Sequence, residues 1–400
     1  MRIVKTLWTL FGTALLGFCV ARADQRLVIH EWGTMTTLED EDGEAIAGIN
    51  ADDEPVPSFV HEVAPRLLLG PGDTGKGVPG VHPDVTVRLE TPVLYIHAPP
   101  EFKGPLDVSV KFVTGWLTEF YPNAEAHAPG IDPATGHVGR ITGPGTLHWA
   151  HLRIGGSAPG PATSERVWLS PRDVTADTVT TQGGESEKFL FYRGVGRGEP
   201  LLHFIQDPES QTVKEQKSAT LLPFWLADIR PDGSVAFQYV SDPLAGSRPF
   251  SPDENNPLNI ATLRQDLQSH LIAAGLYRDE AQALLNTWEV SYFKNPGLRA
   301  FYVWPRDEVD RVLPLTISPA ADVTRVMVGR TELMTPRQRA TIQRIGNLGD
   351  PNQAGWGEAV KLYTGLGRFR EALVLNENQR HPTQGLEDFM QRMSVAYYRP

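Results

Sequence analysis

Between Arg26 and about Pro249 the chain is cut into short apolar runs by Gly, Pro, Asn and Asp, with 37 Gly and 33 Pro in the whole sequence. Punctuation this dense favours many turns and short strands, and it disfavours the helical crossovers that a parallel α/β sheet requires. Strand candidates are Arg26–Trp32, Val85–Glu90, Pro92–His97 (separated from the preceding run by a break at Pro92), Leu106–Val113, Leu147–Ile154, Lys188–Tyr192, Leu201–Ile205 and Ser234–Tyr239. Leu106–Val113 alternates apolar and polar residues, the mark of a strand buried on one face. Segment 156–186 is rich in Gly, Ser, Thr and Pro and reads as an exposed connection.

Near Asn255 the period changes. Asn256 can cap a helix with Pro257 at its first position, Leu263, Leu267 and Leu271 recur every four residues, and Gly275 can close the turn. A second helix fits Asp279–Trp288, with Ala281, Leu284, Leu285 and Trp288 on one side, so the two form a helical hairpin. Strands resume at Leu298–Trp304, Arg311–Ile317 and Val323–Val328. Thr335-Pro336-Arg337-Gln338 then predicts a capping box, with helices around 336–346, 357–375 and 383–396. The expected fold is mainly β, antiparallel and sandwich-like, with an inserted helical hairpin and a C-terminal helical segment. Its divisions are a leader at 1–23, a β-rich body at 24–250, the hairpin with returning strands at 251–335, and the helical segment at 336–400.

The leader follows from Arg2 and Lys5, an apolar run from Leu7 to Val20, and Ala21-Arg22-Ala23, which together make a secretory signal peptide cleaved after Ala23. A periplasmic or secreted location is therefore expected, with no membrane span in the mature chain. Cleavage removes Cys19, the only cysteine. The mature chain is left without disulfides, cysteine nucleophiles or thiolate metal sites, and must be held by burial. Loss of Arg2, Lys5 and Arg22 with the leader takes the formal net charge from −11 to −14. That acidity argues against nucleic-acid binding, which needs a basic face to meet phosphates.

His30-Glu31-Trp32-Gly33-Thr34 resembles the N-terminal motif of a family of exported bacterial proteins known only as uncharacterised. Leu89–Tyr95, Leu117–Pro122, Glu187–Gly196, Ser291–Phe293 with Pro296-Gly297, and Val328–Leu333 are similar to that family too. Met35 departs from it, standing where an aromatic residue is expected. The resemblance implies export and one continuous architecture over about 28–336, and it supplies no catalytic residue.

Candidate chemistry must come from His, carboxylates, hydroxyls, amines or a borrowed ion. His30 and Glu31 end an apolar run beside Trp32 and Thr34 and could floor a site, although on a regular strand neighbours point to opposite faces. Glu90 and Glu119 lie beside apolar and aromatic residues, Tyr121 among them, and glycoside hydrolysis uses paired carboxylates near aromatic surfaces. His127, His137, His148 and His151 cluster in sequence and could ligate zinc. Asp40–Gly43 and Asn50–Glu54 are oxygen-rich turns of a kind that can hold calcium, without the full EF-hand spacing. Arg193 opens a glycine-rich stretch, Arg193–Gly198, that could meet an anion but fails as a nucleotide fingerprint. For each motif the structural alternative is plain: a strand end, core aromatics, solvated histidines, an acidic turn. Two functions are carried forward, an exported hydrolase acting on a glycan or other envelope polymer and a non-catalytic binding or scaffold protein of the envelope.

Overall fold

The computed structural model describes residues 26–51, 55–64, 74–157, 160–209, 212–215, 222–242, 250–251, 259–350 and 354–393. The expected leader with Cys19, the expected turn at Asp52–Glu54 and the expected Asn256-Pro257 cap lie outside them. Strand β1 (Val28–Glu39) is followed by β2 (His61–Glu62), the small pair β3 (Thr74–Gly75) and β4 (Val78–Pro79), and the long β5 (Val87–His97). Next come β6 (Leu106–Phe112), β7 (Gly115–Tyr121), β8 (Glu125–His127), β9 (Ile131–Asp132), β10 (His137–Val138) and β11 (Gly145–Ile154). Helix α1 (Arg166–Arg172) precedes β12 (Val179–Thr180), β13 (Ser186–Glu187), β14 (Leu190–Gly196), β15 (Phe204–Asp207), β16 (Thr212–Glu215), β17 (Phe224–Ile229) and β18 (Val235–Val240). Helices α2 (Asn259–Ala273), α3 (Arg278–Thr287) and α4 (Glu289–Phe293) lead into β19 (Gly297–Val303), α5 (Arg306–Val312), β20 (Leu315–Ser318) and β21 (Asp322–Leu333). The chain closes with α6 (Pro336–Leu348), α7 (Trp356–Gly365), α8 (Arg370–Arg380) and α9 (Gln384–Arg392).

Nine strands form one sheet in the order β18-β17-β19-β21-β1-β5-β14-β7-β2. Every neighbouring pair is antiparallel except β1 with β21, which run parallel in register from Val28–Asp322 to Glu39–Leu333. The sheet thus joins strands from both sides of residue 250. A second sheet, β13-β12-β11-β6-β20, carries β8 as an added partner of β11.

Alternation along β1 sets the layers, because successive side chains leave a strand on opposite faces. Ile29 and Met35 enter a core shared with Val108, Val110, Leu147 and Trp149 of the second sheet. Trp32 points the other way, into a core beneath α1–α4 with Trp168, Trp225, Leu263, Leu267, Leu271 and Leu284. Burying each of those leucines contributes about 1.5–3 kcal/mol. Leu38, further along that face, joins a third core with Ile342, Phe369 and Phe389 of the C-terminal helices. Covered on both faces, β1 has no solvent side, so its polar residues must find partners inside.

Several local expectations are corrected. The run through Pro92 is one strand: register shifts opposite Trp32–Thr34 and Phe191–Gly194 absorb the extra residue at Thr91-Pro92, where Thr91 has φ 41°. Segment 156–186 is no exposed connection, for it contains α1, whose Trp168 is buried and donates to Glu187 Oε2 at 2.8 Å. Arg311 and Val312 end a helix, and the strand begins only at Leu315. The predicted 357–375 helix is two, divided where Gly367 takes φ 87°. The Thr335 capping box forms as expected, with Gln338 N–H donating to Thr335 Oγ1 at 3.2 Å and Thr335 N–H to Gln338 Oε1 at 2.9 Å. Strand accounts for 35% and helix for 26% of the described residues, so the fold is sheet-rich with several C-terminal helices.

Candidate metal centre

Near the start of β1, His30 stands on the Trp32 face. On the neighbouring β5, Tyr95 is its direct cross-strand partner and His97 lies two residues along on the same face. Helix α3 approaches this corner with its N-terminus. Glu280, third residue of that helix, accepts from the Tyr277 N–H through Oε2 at 2.7 Å, the backbone half of a capping box. The same carboxylate meets His30 Nδ1 at 2.7 Å through Oε2 and His97 Nε2 at 3.0 Å through Oε1. Ligand atoms of all three side chains lie within 4.8 Å of one another, the one such His/acid group among the described residues.

Glu280 is fully buried and His30 nearly so, whereas the His97 side chain keeps 17% of its surface. Burial alone would raise the Glu280 carboxyl, but hydrogen bonds from His30 and His97 outweigh it and hold the group below its ordinary range. Tyr277 covers the cluster from outside, its ring centroid 4.4 Å from that of His30 and 5.0 Å from that of His97. An open groove lined by Arg26, Val28, His97, Pro99, Thr175 and Asp177 runs up to the exposed edge of His97.

No family model matches the chain, and no curated protein matches it either.

The structure therefore has to place the predicted residues unaided, and it divides the motif His30–Thr34 between two faces. Glu31 points into the inter-sheet core, where the Tyr192 hydroxyl donates to it at 2.5 Å and Arg325 Nε binds its other oxygen. Arg325 also holds Asp310 at 2.8 Å and the Leu313 carbonyl at 2.6 Å. Glu119 pairs with Arg193 across β7 and β14, both buried. Glu90 is surrounded by Lys76 at 3.0 Å, Arg88 at 3.4 Å and Arg330 at 3.6 Å. The three glutamates expected to act as paired acids are thus interior ion-pair members, not acids on an open cleft. Trp32 and Tyr121 are core aromatics, and Thr34 Oγ1 hydrogen-bonds the Tyr292 hydroxyl at 2.6 Å inside the protein. Arg193 belongs to a buried strand, not a flexible anion loop.

The four clustered histidines do not converge. His127, His137 and His151 are exposed, and His148 is half-buried with Nδ1 at 2.7 Å from Ser109 Oγ. His148 and His151 sit on one strand that bulges between Trp149 and Leu152, where His151 has φ 53°, and they meet different neighbours: His148 faces Ser109, and the His151 N–H donates to Asp107 Oδ1 at 2.7 Å. Nor is Asp40–Gly43 a free acidic turn. Asp40 and Asp42 hold Arg380 of α8, and Glu41 holds Arg339 of α6 at 2.7 Å. These acids dock the C-terminal helices, a use their spacing alone does not reveal.

Sequence reasoning reached His30 but missed His97 and Glu280. The one local signal was the Tyr277-x-x-Glu280 helix start; residues 30, 97 and 280 share no spacing that would have joined them.

Proposed function

We propose that the chain is an exported metal-binding protein whose centre is His30, His97 and Glu280, and that it acts as a hydrolase on a glycan or other envelope polymer. The observation that carries the metal reading is the convergence of two imidazoles and one carboxylate at a solvent-reached corner. Two His and one carboxylate suit a divalent first-row transition ion. With metal–ligand bonds of about 2.0–2.2 Å, tetrahedral ligand atoms stand about 3.3 Å apart, so the 2.7 and 3.0 Å contacts to the two Glu280 oxygens open slightly while the widest separation in the group, within 4.8 Å, closes around an ion. Three protein ligands leave a coordination position free, and a bound ion would supply a Lewis acid beside the groove. The leader read from residues 1–23 supports export. A sandwich-like body with α2 and α3 as an inserted helical hairpin belongs to the same proposal, supported by the core that the two sheets share and by the Arg264–Asn286 and Gln268–Gln282 contacts between the helices.

A second reading, a non-catalytic scaffold or binding protein, is favoured by a different observation. The two His–Glu280 contacts are complete hydrogen bonds, so the cluster can fasten α3 to the sheet with no ion at all. Metal titration separates the two. The mature protein, stripped with chelator and titrated with Zn²⁺, Mn²⁺, Fe²⁺ and Ni²⁺, is expected to take up one equivalent of at least one ion. His97→Gln and Glu280→Gln should each weaken that uptake tenfold or more while circular dichroism stays unchanged. Folded wild-type protein that binds none of these ions leaves the fastening role. A substrate screen with and without the bound ion then tests the hydrolase part.

A further inference from the structure

We infer that Thr36, Arg88 and Arg330 form the floor of a second site, one that takes a small oxyanion, either free phosphate or the carboxylate of an organic acid. This is independent of the metal reading, since Thr36 lies six residues beyond His30 on β1, about 20 Å along the strand.

The three residues come from adjacent strands. Thr36 is the register partner of Arg88 on β5 and of Arg330 on β21, so the side chains stand in one row on one face, about 5 Å apart. All three are buried: Thr36 and Arg330 have no exposed surface, and Arg88 has 1%. Thr36 Oγ1 has no hydrogen-bond partner, and none of the three Arg330 nitrogens makes a hydrogen bond. The carboxylates nearest Arg330 stand at 3.4 Å (Glu332) and 3.6 Å (Glu90), and each is shared with other cations. Glu332 also faces Arg299 and Arg368, and Glu90 also faces Lys76 and Arg88.

A fully buried guanidinium that has only ion-pair contacts of 3.4 and 3.6 Å and no hydrogen bond departs from the way folded proteins satisfy charge. An oxyanion beside the row would accept from the Arg330 fork, from Arg88 and from the Thr36 hydroxyl together, the planar recognition for which arginine is suited. The guanidinium planes are held by rings, Arg330 5.6 Å from the Tyr292 centroid and Arg88 5.8 Å from that of Phe369. A pocket lies one row further along the same face. There Leu38, Glu332 and Arg299 are cross-strand neighbours, and they line it together with Arg368 and Phe369. Arg368 and Arg299 line that pocket and would favour an anion there.

The full mature chain is titrated calorimetrically with inorganic phosphate and, separately, with acetate and succinate. Chelator is present so that no ion mediates binding, and sodium chloride is the matched ionic-strength control. Saturable one-to-one binding of phosphate assigns a phosphate site, and saturable binding of a carboxylate alone assigns an organic-acid site. Thr36→Val, which keeps shape and removes only the hydroxyl, is expected to weaken binding about tenfold, and Arg330→Lys at least as much, with circular dichroism and metal uptake unchanged. The inference is overturned if no anion binds beyond the chloride control, or if folded Thr36→Val binds as wild type does.

Discussion

At the scale of single residues, the interior charges divide by whether their partners complete them. Glu31 is complete: a tyrosine hydroxyl and a guanidinium occupy its oxygens, and Arg325 is in turn shared with Asp310 and a carbonyl. Removing one partner of a buried pair typically costs about 3–5 kcal/mol, because the other charge stays behind without compensation. Glu31→Gln is therefore expected to lose stability of that order in urea unfolding while metal uptake stays unchanged; an unaffected midpoint would refute the structural role assigned to Glu31. Glu39 and His203 make a second, pH-sensitive pair at 2.9 Å. Burial pushes the Glu39 carboxyl up to about 7, and the hydrogen bond to Glu39 pushes His203 up to about 9. Since an unfolded histidine titrates near 6.5, the His203 contribution is fully present below that pH and is lost as pH rises through about 9. Thermal midpoints should fall between pH 7 and 9 in wild type and fall less steeply in His203→Gln, measured side by side.

At the scale of elements, the region around Gly33 shows what a short motif encodes. A Cβ on Gly33 would stand 3.0 Å from Met327 Sδ and from both Pro92 Cα and Pro92 Cγ. The bulge that lets β5 pass through Pro92 thus packs tightly on β1, and a Cβ fits only if Pro92 or Met327 gives way. Gly33→Ala should cost about 1–3 kcal/mol, the usual penalty of overpacking; a neutral result in chemical denaturation would mean that β5 can shift away. Elements with a plain period were legible in sequence. Leu263, Leu267 and Leu271 all face one core, and Thr335 caps its helix as its spacing predicts. Elements with a weak period were not. Helix α1 is only seven residues long and contains Pro171, so Trp168 and Val167 carried too little pattern to separate it from its Gly- and Pro-rich flanks.

At the scale of the whole molecule, the candidate site was legible only in part. His30 stood out because it follows an apolar run, but its partners arrive from β5 and α3 through the tertiary fold. The paired-acid idea failed for the same reason. Chain-local chemistry cannot show that Glu90 and Glu119 face arginines brought in by strands formed much later in the sequence. Among the described residues no helix is long and apolar enough to cross a membrane. The parallel pairing of β1 with β21 has a consequence in time. Thr37 and Thr331, hydrogen-bonded at 3.0 Å, are 294 residues apart, and contacts so distant in sequence form late, because a long loop must close before they repay its entropy. During synthesis β5 can pair with one edge of β1 early, but the other edge has no partner until β21, residues 322–333, has left the ribosome. The two halves of the sheet, β1 with β5, β14 and β7 on one side and β21 with β19, β17 and β18 on the other, are joined only at that seam.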